Sequence, residues 1–124
     1  MSKWLLSGVS WQATVVVEPG RWIGLEFAVP DHAGRPIHYG LDTDLYDLSQ
    51  EKNREFAEEI ERDVIEFLGH LRDRRVLLRK DRPVVVFPLD GGYVRLVRGR
   101  FLTHGSTHTD LARAQAGGEY APVE

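Results

Sequence analysis

Only one stretch of this chain repeats its apolar residues with the period of a helix. From about residue 49 to about residue 73, Phe56, Ala57, Ile60, Val64, Phe67, Leu68 and Leu71 recur at steps of three and four, which draws a single apolar stripe along an amphipathic helix. Asp47 and Ser49 are both competent N-caps, and Asp47 with Gln50 has capping-box spacing. Glu51, Glu55, Glu58 and Glu59 crowd the start of the stretch, while Arg72, Arg74 and Arg75 crowd its end. Both arrangements suit the helix dipole.

The flanking segments repeat at two. Residues 4–9 are largely apolar, with a bend expected at Gly8. Residues 11–18 alternate, with Trp11, Ala13, Val15 and Val17 on one side. Pro19-Gly20 supplies a turn, and residues 21–29 then place Ile23, Leu25, Phe27 and Val29 inward, so that the two segments read as a hairpin. Residues 36–39 suit a short edge strand. After the helix, residues 76–79 form a strand. The run Val84-Val85-Val86-Phe87 marks a strand covered on both faces. Asp90-Gly91 is a two-residue hairpin signal. Residues 93–103 alternate until Val97-Arg98-Gly99-Arg100, where the phase slips and a glycine bulge is expected.

Strands, one helix and strands again predict an α+β fold: a mainly antiparallel curved sheet of five to seven strands with one long helix packed on one face. The expected core is Val15, Val17, Ile23, Leu25, Phe27, Ile60, Val64, Phe67, Leu68, Leu71, Val85 and Phe87. A length of 124 residues fits one domain. Its expected extent is residues 1–104, with residues 105–124, small and polar, as a flexible C-terminal tail. One helical stripe cannot cover so many strands. The uncovered face must curl, stay polar or meet another subunit, and with Trp4, Trp11 and Trp22 in the first strands a homodimer through the open face or edge is expected.

Charge is divided unevenly. Residues 1–71 carry a balance of −7, residues 72–100 one of +6 and the remainder −2, so the net −3 hides an acidic front half and a basic block. Such polarisation points to a charged partner surface or to packing of one part against the other. Arginine outnumbers lysine thirteen to three. There is no cysteine, which excludes thiol nucleophiles, thiolate metal sites and disulfides. The first residues break at Ser7-Gly8, too early for a signal-peptide core, and no apolar run approaches membrane-spanning length. The expected setting is the cytoplasm, without membrane contact.

No motif carries chemistry with it. Asp42, Thr43, Asp44 and Asp47 fail the EF-hand pattern, since Asp47 stands where its glycine belongs and Asn53 where its glutamate belongs. They read as a polar helix entry. His104 and His108 are weak metal candidates, separated by residues that disfavour a helix, with His32 and His38 able to complete a site. Ser106 lacks a nucleophile elbow, and Asp90-Gly91-Gly92 lacks the lysine of a phosphate loop. No catalytic residue and no cofactor is assigned, and binding is favoured over enzymatic activity. The one suggestive constellation is Tyr93, Arg95, Arg98 and Arg100, with Phe101 beside them and Trp22 in the first strands. The favoured reading is a small non-catalytic binding module of inhibitor or adaptor type that engages a protein partner through these residues. The alternatives are single-stranded nucleic acid, with arginines following the backbone and rings stacking on bases, and a small metal-dependent enzyme.

Overall fold

A computed structural model of the chain describes residues 2–18, 22–42, 51–100, 102–115 and 117–124. Four strands come first: β1 (Ser2–Ser7), β2 (Gln12–Glu18), β3 (Trp22–Pro30) and β4 (Pro36–Asp42). They form an antiparallel meander in the order β1-β2-β3-β4. The alternation of the hairpin is realised in the β2–β3 register, where Val15 faces Leu25 and Ala13 faces Phe27. The Pro19-Gly20 turn lies outside the described residues, as do the helix caps Asp47 and Ser49.

The helix, α1, spans Glu51–Arg72. Its stripe is buried as its period requires: Val64, Phe67 and Leu71 lie in the core, with Ile60 and Leu68 packed against them. The stripe faces two sheets rather than one. It packs on β3 and β4 and also on β6 (Val84–Leu89) of a second sheet. Phe67 sits between them, its ring 5.0 Å from Phe27 and 4.9 Å from Phe87, both edge-on, and 5.1 Å from Tyr39. Edge-to-face contacts of this kind add to area burial in fixing the packing.

The second sheet is also antiparallel. Besides β6 it holds β5 (Leu77–Arg79), β7 (Gly92–Arg98), β8 (Thr103–His108) and β9 (Tyr120–Pro122), in the order β8-β7-β6-β5-β9. The expected single curved sheet is therefore corrected to two sheets, of four and five strands. The physical reason is coverage. A helix clamped between two sheets buries more than one flank of its stripe and shields the inner faces of both. A short second helix, α2 (Leu111–Gln115), covers part of the other face of the second sheet. There Val84, Val86 and Ala114 make a smaller core with Tyr93, Val97, Leu111 and Tyr120. This is why Val84-Val85-Val86-Phe87 is buried residue after residue.

Two local expectations differ from what forms. Asp90 and Gly91 have φ of 52° and 79°, the left-handed pair that a two-residue hairpin needs, but Gly99 makes no bulge. Pairing runs unbroken to Arg98 opposite Thr103, and the Gly99 N–H donates to the Leu102 carbonyl at 2.7 Å. The segment expected to be a flexible tail holds most of β8, together with α2 and β9. β9 pairs with β5, and Val123 is buried, its N–H donating to the Val76 carbonyl at 2.8 Å. A strand edge left open at β5 offers unpaired backbone groups, and the last residues satisfy them.

Candidate protein-binding edge

The arginines singled out in the sequence do not form one stripe. Because β7 keeps its alternation, Arg95 and Arg98 leave opposite faces of the sheet. Arg95 stands opposite Val86 and Ser106, on the face carrying the smaller core, and its Nε is buried without a hydrogen-bond partner. Arg98 turns toward the first sheet. Its Nη2 donates to Asp31 Oδ2, and its Nη1 donates to the carbonyls of Arg35 at 2.9 Å and Pro36 at 3.3 Å. The side chain of Asp31 is fully buried, and that of Arg98 is 15% exposed. Arg98 is thus a clasp between the sheets, with its charge already met inside the molecule. Tyr93 is half-buried against the smaller core, and Arg100 is exposed. Trp22 lies in the other sheet, its backbone opposite Glu18. The structure does not bring Trp22 to the others, and Phe101 lies outside the described residues.

The histidine pair is also separated. His104 and His108 are four residues apart on β8, about 13 Å at strand rise, too far to share an ion. His108 Nε2 instead lies 2.9 Å from Ser106 Oγ. Among the described residues there is no cluster of three or more metal-ligating groups. The Asp42–Asp47 cluster falls largely outside them.

Part of the basic block is matched within the molecule. Arg72 pairs with Asp73, Arg79 with Asp81 and Arg74 with Glu124. The acidic half has its own concentration at the junction of α1 and the β6–β7 turn, a recess of about 460 Å³ lined by Glu59, Arg62, Asp63, Glu66 and Asp90. Here partial burial, a hydrogen bond with Asp90 and the charges of Asp90, Glu66 and Glu59 push the Asp63 carboxyl up to about 6. Burial, together with Asp63, Asp90 and Glu66, also raises the neighbouring Tyr39 hydroxyl, which stays protonated.

Among the described strands, β1 is the one exposed along its whole length. All six of its residues are exposed, with Leu5 76% and Trp4 50% accessible, and Leu6 and Val9 also in solvent. Trp4 stands opposite Val15 and Leu6 opposite Ala13, so both side chains leave the sheet on the core-facing side. Yet α1 packs on β3 and β4, so β1 projects past the cover the helix provides. Leu5, opposite Thr14, leaves by the other face. One edge of β1 is paired with β2 and the other borders no described strand. An edge with leucines and tryptophan, no proline and only Lys3 as a charge is what isolated sheets normally avoid. Full burial of each such side chain is worth roughly 1.5–3 kcal/mol.

The strand is nonetheless held in place at its turn. A Cβ on Gly8 would run into the Trp11 indole, so glycine lets the ring lie against this turn. Trp11 in turn packs on Phe27, ring centroids 6.2 Å apart. Just beyond, the Ser10 N–H donates to the Glu124 backbone carbonyl at 2.6 Å and its hydroxyl to the same oxygen at 2.9 Å. The sequence shows β1 as an apolar segment; its exposure depends on where α1 lands. The one signal available was the mismatch between a single helical stripe and the number of strands. No protein-family model, curated protein or solved structure matches the chain.

Proposed function

We propose that this chain is a non-catalytic protein-binding module that receives an extended segment of a partner protein as an added strand on β1. The observation that carries the reading is the exposed β1, paired on one side and carrying Trp4, Leu5 and Leu6. In β-addition, main-chain hydrogen bonds supply affinity and alternate side chains supply selectivity. Trp4 and Leu6 would meet apolar residues of the added strand on one face and Leu5 on the other. The docking surface is therefore apolar at Trp4, Leu5 and Leu6, with Lys3 as its one charge. A cytoplasmic setting belongs to this reading and draws on the cysteine-free sequence. The nucleic-acid alternative loses its main support, because Arg95 and Arg98 leave opposite faces and Arg98 is bound to Asp31.

Selection of displayed extended peptides on the whole chain tests the proposal. Peptides with alternating apolar residues should be enriched, and their binding should perturb the backbone amides of residues 2–7. Replacing Trp4 and Leu6 together with serine should weaken that binding about tenfold or more, through loss of apolar burial. Stability should stay close to that of the native chain, as for other surface changes. Equal binding by the double variant would overturn the reading.

A further inference from the structure

We infer that the strand which completes β1 is the β1 of a second copy, paired antiparallel about a two-fold axis perpendicular to the sheet. The inference rests on the reading of β1 as a docking edge and names its occupant. In the register with Leu5 on the axis, Leu5 faces its own copy, Trp4 faces Leu6, and Lys3 faces Ser7. Opposed residues of an antiparallel pair share a face. The two Trp4 and two Leu6 side chains therefore gather on the core-facing side, and the two Leu5 side chains on the other. The only charges on the strand, Lys3 and its copy, stand four residues apart along the strand. That is about 13 Å, beyond the ~8 Å screening length of physiological salt.

The rest of the fold leaves room for this pairing. Two first sheets joined at β1 place one β3 five strand spacings from the other, about 24 Å. Since α1 packs on β3 and β4, the two helices stand at least that far apart, and a helix with side chains is about 10–12 Å across. They do not collide. The space between them is floored by the apolar quartet that each copy alone leaves in water. In this register Lys3 to Ser7 pair, and a five-residue ladder buries less surface than a permanent dimer interface, so the association is concentration-dependent.

Charge exchange at Leu5 tests the inference on the whole chain. Sedimentation of the native protein between micromolar and millimolar concentration should show its mass rise from 14.1 kDa toward twice that value. Leu5→Lys and Leu5→Glu should each raise the dimerisation midpoint roughly tenfold or more, because like charges then oppose directly across the axis. An equimolar mixture of the two should regain the dimer. In this cysteine-free chain Leu5→Cys should also oxidise to a covalent dimer, since opposed Cα atoms of a strand pair lie within disulfide reach. Ile65→Cys, on the exposed side of α1, should oxidise far more slowly. A native chain that stays monomeric, a dimer indifferent to both charged variants, or equal oxidation of the two cysteine variants would overturn the inference. If the monomer still binds extended peptides through Trp4 and Leu6, self-pairing fails while the docking reading stands. If peptide binding is absent as well, both fail.

Discussion

Asp31 shows how one carboxylate can join two sheets. Its Oδ1 accepts the N–H groups of Ala33 at 2.8 Å and Arg35 at 2.9 Å, while Oδ2 accepts the Arg98 guanidinium. Burial alone would raise its pKa, but the Arg35 N–H, the Arg98 side chain and the Ala33 N–H outweigh burial and hold the carboxyl below its ordinary value. A carboxylate whose pKa is lower in the folded than in the unfolded state stabilises the fold above the unfolded value. That stability is lost as pH falls below about 4. Arg98→Ala leaves the Asp31 charge buried with its backbone donors alone and should cost about 3 kcal/mol, the lower end for breaking a buried pair. The denaturant midpoint of the variant should fall well below that of the native chain at pH 7, with the gap narrowing at pH 3. An Arg98→Ala chain as stable as the native one at pH 7 would show that the clasp contributes nothing. The sequence shows Arg98 as a member of a surface stripe because its partner lies 67 residues away, across a sheet boundary.

At the scale of elements, α1 meets the β6–β7 hairpin mainly through carboxylates, with Arg62 as the cation among them. Asp63, Glu66 and Glu59 of the helix face Asp90 of the turn, and the Asp90 N–H reaches Glu66 at 3.3 Å. Burial and this crowding raise Asp63 to about 6, so the folded state holds a proton that the unfolded chain releases near pH 4. The linkage sign is opposite to that of Asp31. Asp63 lowers stability as pH rises from about 4 to about 6, and the penalty is fully present at pH 7. Asp63→Asn keeps the shape without the charge and should stabilise the chain by about 1 kcal/mol at pH 7, allowing for solvent screening. Urea melts at pH 4.5 and pH 7 should show a gain at the higher value that shrinks at the lower. A gain of the same size at both would exclude the charge mechanism. The turn itself was legible: Asp90-Gly91 is a hairpin from sequence alone because Asp-Gly is one of the few pairs that adopt the left-handed backbone readily.

At the scale of the molecule, the last residues complete the fold. β9 closes the open edge of β5, Val123 enters the core, and the Glu124 carbonyl holds the turn after β1. Deleting residues 119–124 should therefore destabilise the chain by at least the roughly 1.5–3 kcal/mol of burying one valine, with a lower thermal midpoint and faster amide exchange in β5. A dispensable tail would leave both unchanged. Among the described residues no helix is long and apolar enough to cross a membrane, and β1 leaves Trp4, Leu5 and Leu6 exposed at a sheet edge.

Periodicity by itself determined the helix, the β2–β3 hairpin, the doubly covered β6 and the greater part of the core, because each follows from which side chains a regular backbone aligns. Val15, Leu25, Phe27, Val64, Phe67, Leu71, Val85 and Phe87 are buried as that alignment requires. Only the tertiary structure decided that α1 is shared between two sheets, that residues 119–124 pair with β5, that Arg98 spends its charge on Asp31, and that β1 extends beyond the helix. Each of these depends on contacts between residues distant in the chain. Local propensity carries no information about which of several open edges and faces a distant segment will reach, and burial is settled by that choice.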